Sequence, residues 1–230
     1  MGVSDFLYKH FIKPVFDILL ALILILATSP VMAFCCLYIK IKEPSERMVF
    51  PQQRIGYKRR LFTIYKFRTM SSTRKDDNGR DLTSEERLTR HGRLMRKLSL
   101  DELPQLFNVL AGQMSFIGPR PLLPQYLPYY TEAENRRHEV KPGISGWAQV
   151  NGRNAVGWGE RLALDVWYVD HQSWCLDLKI IFLTVLKVVK REGIGGAGRE
   201  TSMPPFMGSS ADYGEAFGRA KATSGPDQGM

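Results

Sequence analysis

Cysteine is scarce in this chain. Only Cys35, Cys36 and Cys175 occur in 230 residues. No two stand at C-x-x-C spacing and no histidine lies beside them at zinc-ligand distance, so the pattern gives neither a disulfide framework nor a zinc site. The three thiols read as apolar filler in a reducing compartment. Nucleotide-binding loops are missing too. There is no Walker loop, no G-x-G-x-x-G and no G-x-S-x-G, which removes P-loop hydrolysis, Rossmann dinucleotide binding and the nucleophile elbow of α/β-hydrolases. No internal repeat is present. Acidic residues are outnumbered: 23 Asp+Glu stand against 32 Lys+Arg, a formal charge of +9. That balance points to a polyanionic partner, which could be nucleic acid, an anionic membrane surface or a phosphorylated substrate.

What is abundant is one long apolar run. Ile18 to Ile39 carries no charged residue. It is long enough to span a hydrocarbon core of about 30 Å. It is too long for a signal peptide, and no small-residue cleavage site follows it. Lys9, His10 and Lys13 precede it, and Lys40, Lys42 and Arg47 follow. Basic residues on both flanks give the positive-inside rule no asymmetry to act on. Ser29-Pro30 sits mid-run, where proline lacks an N–H and crowds the carbonyl four residues back. The Ser29 hydroxyl can satisfy a freed carbonyl. Two geometries fit equally: a kinked helix that crosses, or one that dips in and returns.

Beyond it, Leu61 to Met70 is rich in aromatic and β-branched residues and reads as a strand after a turn at Gly56. Residues 71–83 read as a surface loop. Thr83-Ser84-Glu85-Glu86 is expected to open a basic helix carrying Arg87, Arg90, Arg93, Arg96 and Lys97. Leu106 to Leu110 is a short helix stopped by Gly112. Leu122 to Tyr130 is a Pro/Tyr-rich connector, and Pro142-Gly143 and Gly146 mark turns. Arg161 to His171 reads as an amphipathic helix. Leu176 to Arg191 is apolar on a broad face with lysines on the rest, suited to an anionic membrane surface. From Gly193 on, Gly, Ala, Ser and Pro predominate, the composition of a loose or partner-ordered tail.

Two motifs could carry chemistry. Ser99-Leu100-Asp101-Glu102-Leu103-Pro104 holds adjacent carboxylates. If Ser99 is an N-cap, Ser99 and Glu102 form a capping box and the acids serve the helix dipole. If the helix starts at Pro104, both acids lie just before it. Either way they adjoin a helix N-terminus, where anions are favoured, and need cations beside them. The second motif is Gly118-Pro119-Arg120-Pro121. Prolines on both sides restrict Arg120, which lowers the entropy lost when a guanidinium clamps a phosphate. Lys66, Arg68, Arg96 and Arg153 are further candidate phosphate contacts, each by default a surface charge. His138 and His171 read as surface or capping residues.

Five strings occur in one order: IYKFRTM, SLDELPQLFNVL, SFIGPRPLL, RRHEVKPGISGWAQVNGR and LDVWYVDH. Together they resemble the bacterial sugar transferases, the monotopic phosphoglycosyl transferases, over about residues 12–200. The compact form is most similar to the branch that makes undecaprenyl-diphospho-N,N′-diacetylbacillosamine. The resemblance implies a two-step reaction. Asp101 attacks the β-phosphate of a UDP-sugar, releases UMP and holds a covalent phospho-sugar, which undecaprenyl phosphate then takes. It makes Glu102 the second acid of a dyad associated with Mg²⁺, with Asp101 beside the ion. It places Arg96, Arg120 and Asp165 along the site. It also implies that Ser29-Pro30 breaks a re-entrant helix, leaving both ends at the cytoplasmic face of the bacterial inner membrane.

The expected fold is therefore α+β: a re-entrant membrane helix over residues 1–42, a mostly helical catalytic domain over 43–200 with a short β-hairpin and interfacial amphipathic helices, and a tail over 201–230. The expected partners are a UDP-sugar, undecaprenyl phosphate and anionic lipids, with no nucleic acid and homo-oligomerisation left open. The competing readings are a Mg²⁺-dependent nucleotide-sugar hydrolase and a non-enzymatic membrane scaffold.

Overall fold

The apolar run forms one helix. The computed structural model describes residues 6–76, 78–151 and 157–190, together with Phe206 and Gly208. A π-helical turn, Tyr8–Ile12, leads into α1, Lys13–Lys42. The joined helix is long and apolar enough to cross a membrane. α1 alone has 30 residues, which at 1.5 Å per residue is about 45 Å. Pro30 does not end it: the backbone stays helical through Ser29-Pro30, so a change of direction there is a bend within one helix and not an interruption. The reason is local repair: the Leu26 carbonyl, left without a proline N–H, accepts the Ser29 hydroxyl at 2.8 Å.

Both halves of α1 rest on the same globular body. Before Pro30, Ala21 packs with Ile64, Val109 and Met114. After it, Cys35 and Ile39 pack with Phe67 and Met95. Between these anchors Leu22, Ile23, Leu26 and Phe34 are exposed. Near the N-terminal end, Asp17 accepts the Phe116 N–H at 3.3 Å.

Strands β1 (Val49–Ile55) and β2 (Leu61–Phe67) pair antiparallel, Val49 opposite Phe67 and Ile55 opposite Leu61. The strand is shorter than its sequence pattern, and Met70 instead bridges Leu88. That bridge also moves the next helix. Thr83 and Glu86 do exchange capping bonds, the Thr83 N–H reaching Glu86 at 2.8 Å. They close only a turn, because Ser71 takes the Arg87 carbonyl into strand-like pairing. The helix, α2 (Arg90–Lys97), starts one motif later, with Thr89 capping the Gly92 N–H.

A 3₁₀ turn Leu100–Glu102 leads to α3, Gln105–Leu110, and Gly112 follows at φ +70°. Two three-residue strands, β3 (Ser115–Ile117) and β4 (Gly143–Ser145), pair in parallel and were not evident in the sequence. The connector holds a 3₁₀ turn Pro124–Tyr129, the short α4 (Glu132–Asn135) and a 3₁₀ turn Arg136–Glu139. Three helices follow: α5 (Trp147–Asn151), α6 (Trp158–His171) and α7 (Trp174–Val189). Ile117, Trp147, Leu164, Tyr168 and Ile180 join β3, α5, α6 and α7 in one core. Leu178, Phe182 and Val185 of α7 remain exposed, as an interfacial helix requires. Helices with two small sheets make the α+β fold. Most of the tail lies outside the described residues, but Phe206 is not loose: it is buried in a second core with Ile55, Leu122 and Leu162.

Candidate active site

The acids sit where three chain segments meet. Ser99 leaves α2 at φ 55°, a left-handed conformation that costs a non-glycine residue on the order of 1 kcal/mol. Its side chain caps nothing, so the capping box does not form. The chain reverses there, and Asp101 and Glu102 fall in the turn ahead of Pro104 and α3. Buried Asn108 fixes α3 against β2, donating to the Thr63 carbonyl at 2.7 Å and accepting the Tyr65 N–H at 3.3 Å. That brings Lys66 of β2 to Glu102 Oε1 at 3.1 Å.

Arg120 reaches the same oxygen at 3.0 Å. Its loop is held by the β3–β4 pair, which packs backbone on backbone. A Cβ on Gly143 would fall 2.1 Å from the Gly118 nitrogen. Gly143→Ala is therefore expected to separate β3 from β4 and destabilise by about 1–3 kcal/mol. An unchanged melting temperature in that variant would contradict this account of the loop.

Arg96 donates Nε to Thr69 Oγ1 at 3.0 Å and contributes positive potential at Asp101. Glycine is needed below it, because a Cβ on Gly92 would lie 1.9 Å from the Thr69 carbonyl. Lys66, Arg96, Arg120, Asp101 and Glu102 thus come together as one cluster. Arg68 does not join them. It pairs with Glu46 at 3.2 Å and donates to the Arg47 carbonyl at 2.8 Å. Arg153 lies outside the described residues.

Asp165 acts at one remove. It is buried and bonded to Arg137 at 2.7 and 3.1 Å. Arg137 in turn donates to the Arg120 carbonyl at 2.7 Å. Burial opposes the Arg137 charge, but Asp165 outweighs it and holds the guanidinium pKa above its ordinary value. Arg137, which residue-by-residue reasoning missed, is the contact that joins Asp165 to the Arg120 loop. Its signal was the string RRHEVKPG, where it is the second arginine. His138 is buried rather than superficial. Its Nδ1 meets the Asn135 carbonyl at 3.1 Å and its Nε2 has no partner. Burial, then the Arg137 charge, press its pKa to about 3, so the ring is neutral.

The two acids differ electrostatically. Burial alone would raise the Glu102 pKa. Lys66, then Arg120, more than reverse it and hold this carboxyl well below the usual range. Asp101 is shifted up, by burial and then by the Glu102 charge, with Lys66, Arg96 and Arg120 opposing in part. Partners hold Glu102 in its ionised form, whereas burial and the Glu102 charge favour the neutral form of Asp101. No group of three His, Cys, Asp or Glu forms a metal cage among the described residues. Mg²⁺ characteristically takes one or two carboxylates and fills its shell with water and substrate phosphates. Asp101 and Glu102 suit that requirement, since both cations converge on one Glu102 oxygen.

The bacterial sugar transferase family matches residues 8–191. The chain is similar to the uncharacterized sugar transferase EpsL of Bacillus subtilis, 55% identical over 183 residues, 80% of this chain and 90% of that protein. It is 41% identical over 194 residues to the undecaprenyl-phosphate glucose phosphotransferase of Komagataeibacter xylinus, 77% of this chain and 36% of that one. With the UDP-N-acetylgalactosamine-undecaprenyl-phosphate N-acetylgalactosaminephosphotransferase of Aeromonas hydrophila it shares 41% over 191 residues, 78% and 44%. The chain spans less than half the length of those last two relatives.

Proposed function

The chain belongs to the bacterial sugar transferase family, and from that premise we propose that it transfers a sugar 1-phosphate from a UDP-sugar to undecaprenyl phosphate. The observation that carries the reading is the unequal pair: Glu102 clamped by Lys66 and Arg120, with Asp101 beside it in the same turn. The Asp101 carboxylate attacks the β-phosphorus, the bond to the UMP oxygen breaks, and an aspartyl phospho-sugar results. Undecaprenyl phosphate then displaces the aspartate. Splitting one displacement into two is the general benefit of a carboxylate nucleophile. Lys66, Arg96 and Arg120 offset charge on the phosphoryl oxygens. Asp101 and Glu102 would hold a Mg²⁺ ion, which would further neutralise the diphosphate. The donor sugar is open, because the relatives are named for glucose and N-acetylgalactosamine among others.

The test is UMP release from a panel of UDP-sugars, with and without undecaprenyl phosphate. Release lost on chelation and restored by Mg²⁺, together with a labelled sugar-phosphate adduct on the protein, is the expected result. Release with water as sole acceptor identifies a hydrolase, and no release from any donor leaves the scaffold reading.

Asp101 attacks only when ionised. In the metal-free protein its raised pKa puts the acid limb of its titration at higher pH than an ordinary aspartate gives. Lys66→Met removes a charge that lowers that pKa, so the limb moves higher still. A limb that stays in place or moves to lower pH sinks this assignment.

The same proposal includes a helix that enters the bilayer and returns. The anchoring of α1 to one body on both sides of Pro30 supports it. A crossing helix would carry one end some 30 Å away through the hydrocarbon core. In a chain stripped of its native cysteines, Asp5→Cys and Ser45→Cys are expected to react with an impermeant thiol reagent from the same, cytoplasmic side.

A further inference from the structure

Phe206 lies beyond the family-matched stretch, which ends at residue 191. It is only 1% exposed. Its ring stands 5.4 Å from Tyr130, 5.5 Å from Trp158 and 5.9 Å from Tyr126, centroid to centroid. Such distances are those of interacting aromatic pairs. Tyr130 is the member that leads onward. The Arg137 guanidinium stands over its ring at 5.8 Å. Arg137 grips the Arg120 carbonyl at 2.7 Å, and Arg120 reaches Glu102 at 3.0 Å. One continuous set of contacts therefore runs from the tail to the dyad.

We infer that Phe206 is a positioning residue: it wedges Tyr130 against Arg137 and so sets where the Arg120 guanidinium stands over Glu102. Without the ring, Tyr130 has room to turn toward the vacated space, and Arg137 loses one wall. The charged pair Arg137–Asp165 stays, but its orientation is no longer fixed on the Tyr130 side. A side chain without charge or nucleophile thus governs a phosphate-binding arginine through packing. This inference rests on the proposed transferase reading for its activity readout only.

The test uses the full-length protein in membranes or detergent. Phe206→Ala is expected to lower kcat/KM for UMP release about 10- to 100-fold, the scale on which small misplacements of positioning groups act. The loss should lie in kcat rather than in KM for the donor. Phe206→Leu, which refills most of the volume, should restore most of it. Coupling distinguishes positioning from simple loss of stability: in an Arg137→Lys background, Phe206→Ala should cost little more, because the link is already broken. A second readout needs no turnover. The Arg120 Nε–Hε signal in arginine-labelled protein, assigned with Arg120→Lys, should shift in Phe206→Ala and return in Phe206→Leu. If the signal shifts while no UDP-sugar yields UMP even in wild type, the transferase reading fails and the positioning role stands. An unmoved Arg120 signal overturns the inference, as does a loss of kcat/KM that multiplies fully with Arg137→Lys.

Discussion

Asp101→Asn is expected to abolish phospho-sugar transfer while leaving the protein folded and slightly more heat-resistant. The amide has nearly the same shape but no anionic oxygen, so the covalent step has no nucleophile. Loss of a residue that forms the covalent intermediate lowers turnover on the order of 10³-fold or more. The stability half follows from the Asp101 environment. Its pKa is raised in the fold, by burial and then by Glu102. A raised acid contributes stability that is full below the ordinary aspartate pKa and is lost as pH rises through the raised value. Above that raised value the ionised side chain weakens the fold, and the neutral amide relieves it. Melting curves and a labelled-adduct assay on one preparation check both halves. Retained turnover with a lowered melting temperature would falsify them together.

Arg137→Leu should have the largest effect on stability. Arg137 and Asp165 have side chains 2% and 4% exposed. Removing one partner leaves a buried charge uncompensated, which costs about 3–5 kcal/mol. Asp165 then faces an apolar side chain, and the Arg120 carbonyl loses its donor. The double variant Arg137→Leu, Asp165→Leu should recover most of the stability, because no unpaired charge is left buried at that site. It should not recover activity, since the Arg137 bond to the Arg120 carbonyl is still missing. Denaturant unfolding of the single and double variants, alongside UMP release, measures this. Equal stability of the two would show that the buried pair is not coupled.

Some of this architecture was legible because the signals are local. The apolar run, the proline with its neighbouring serine, the aromatic strand and the glycine-stopped helix each follow from a few adjacent residues. The choice between the two readings of Asp101-Glu102 was not legible, because it turns on Ser99, whose left-handed conformation keeps its side chain from capping. Other features were hidden because they are set by distant partners. Thr83 and Glu86 carry a sound helix-start signal, but the Met70–Leu88 bridge overrides it. Strands β3 and β4 have three residues each, too few to show a period. Asp165 entered only through the resemblance, and the sequence did not show the arginine 28 residues away that it binds. Arg68 resembles Lys66 in sequence, yet Glu46 claims it.

The junction of α1 with α7 has a consequence for how the chain is made. Asp177 of α7 holds Lys13 at 2.5 Å and also accepts the hydroxyls of Tyr8 and Tyr168. Lys13 and Asp177 are 164 residues apart. At about 5–20 residues per second, a ribosome delivers Asp177 roughly 8–33 s after Lys13. The apolar helix therefore emerges long before the residue that fastens its N-terminal end exists. Closing that knot is a late event in biogenesis, and a nascent chain stopped short of α7 has the basic end of this helix still unfastened.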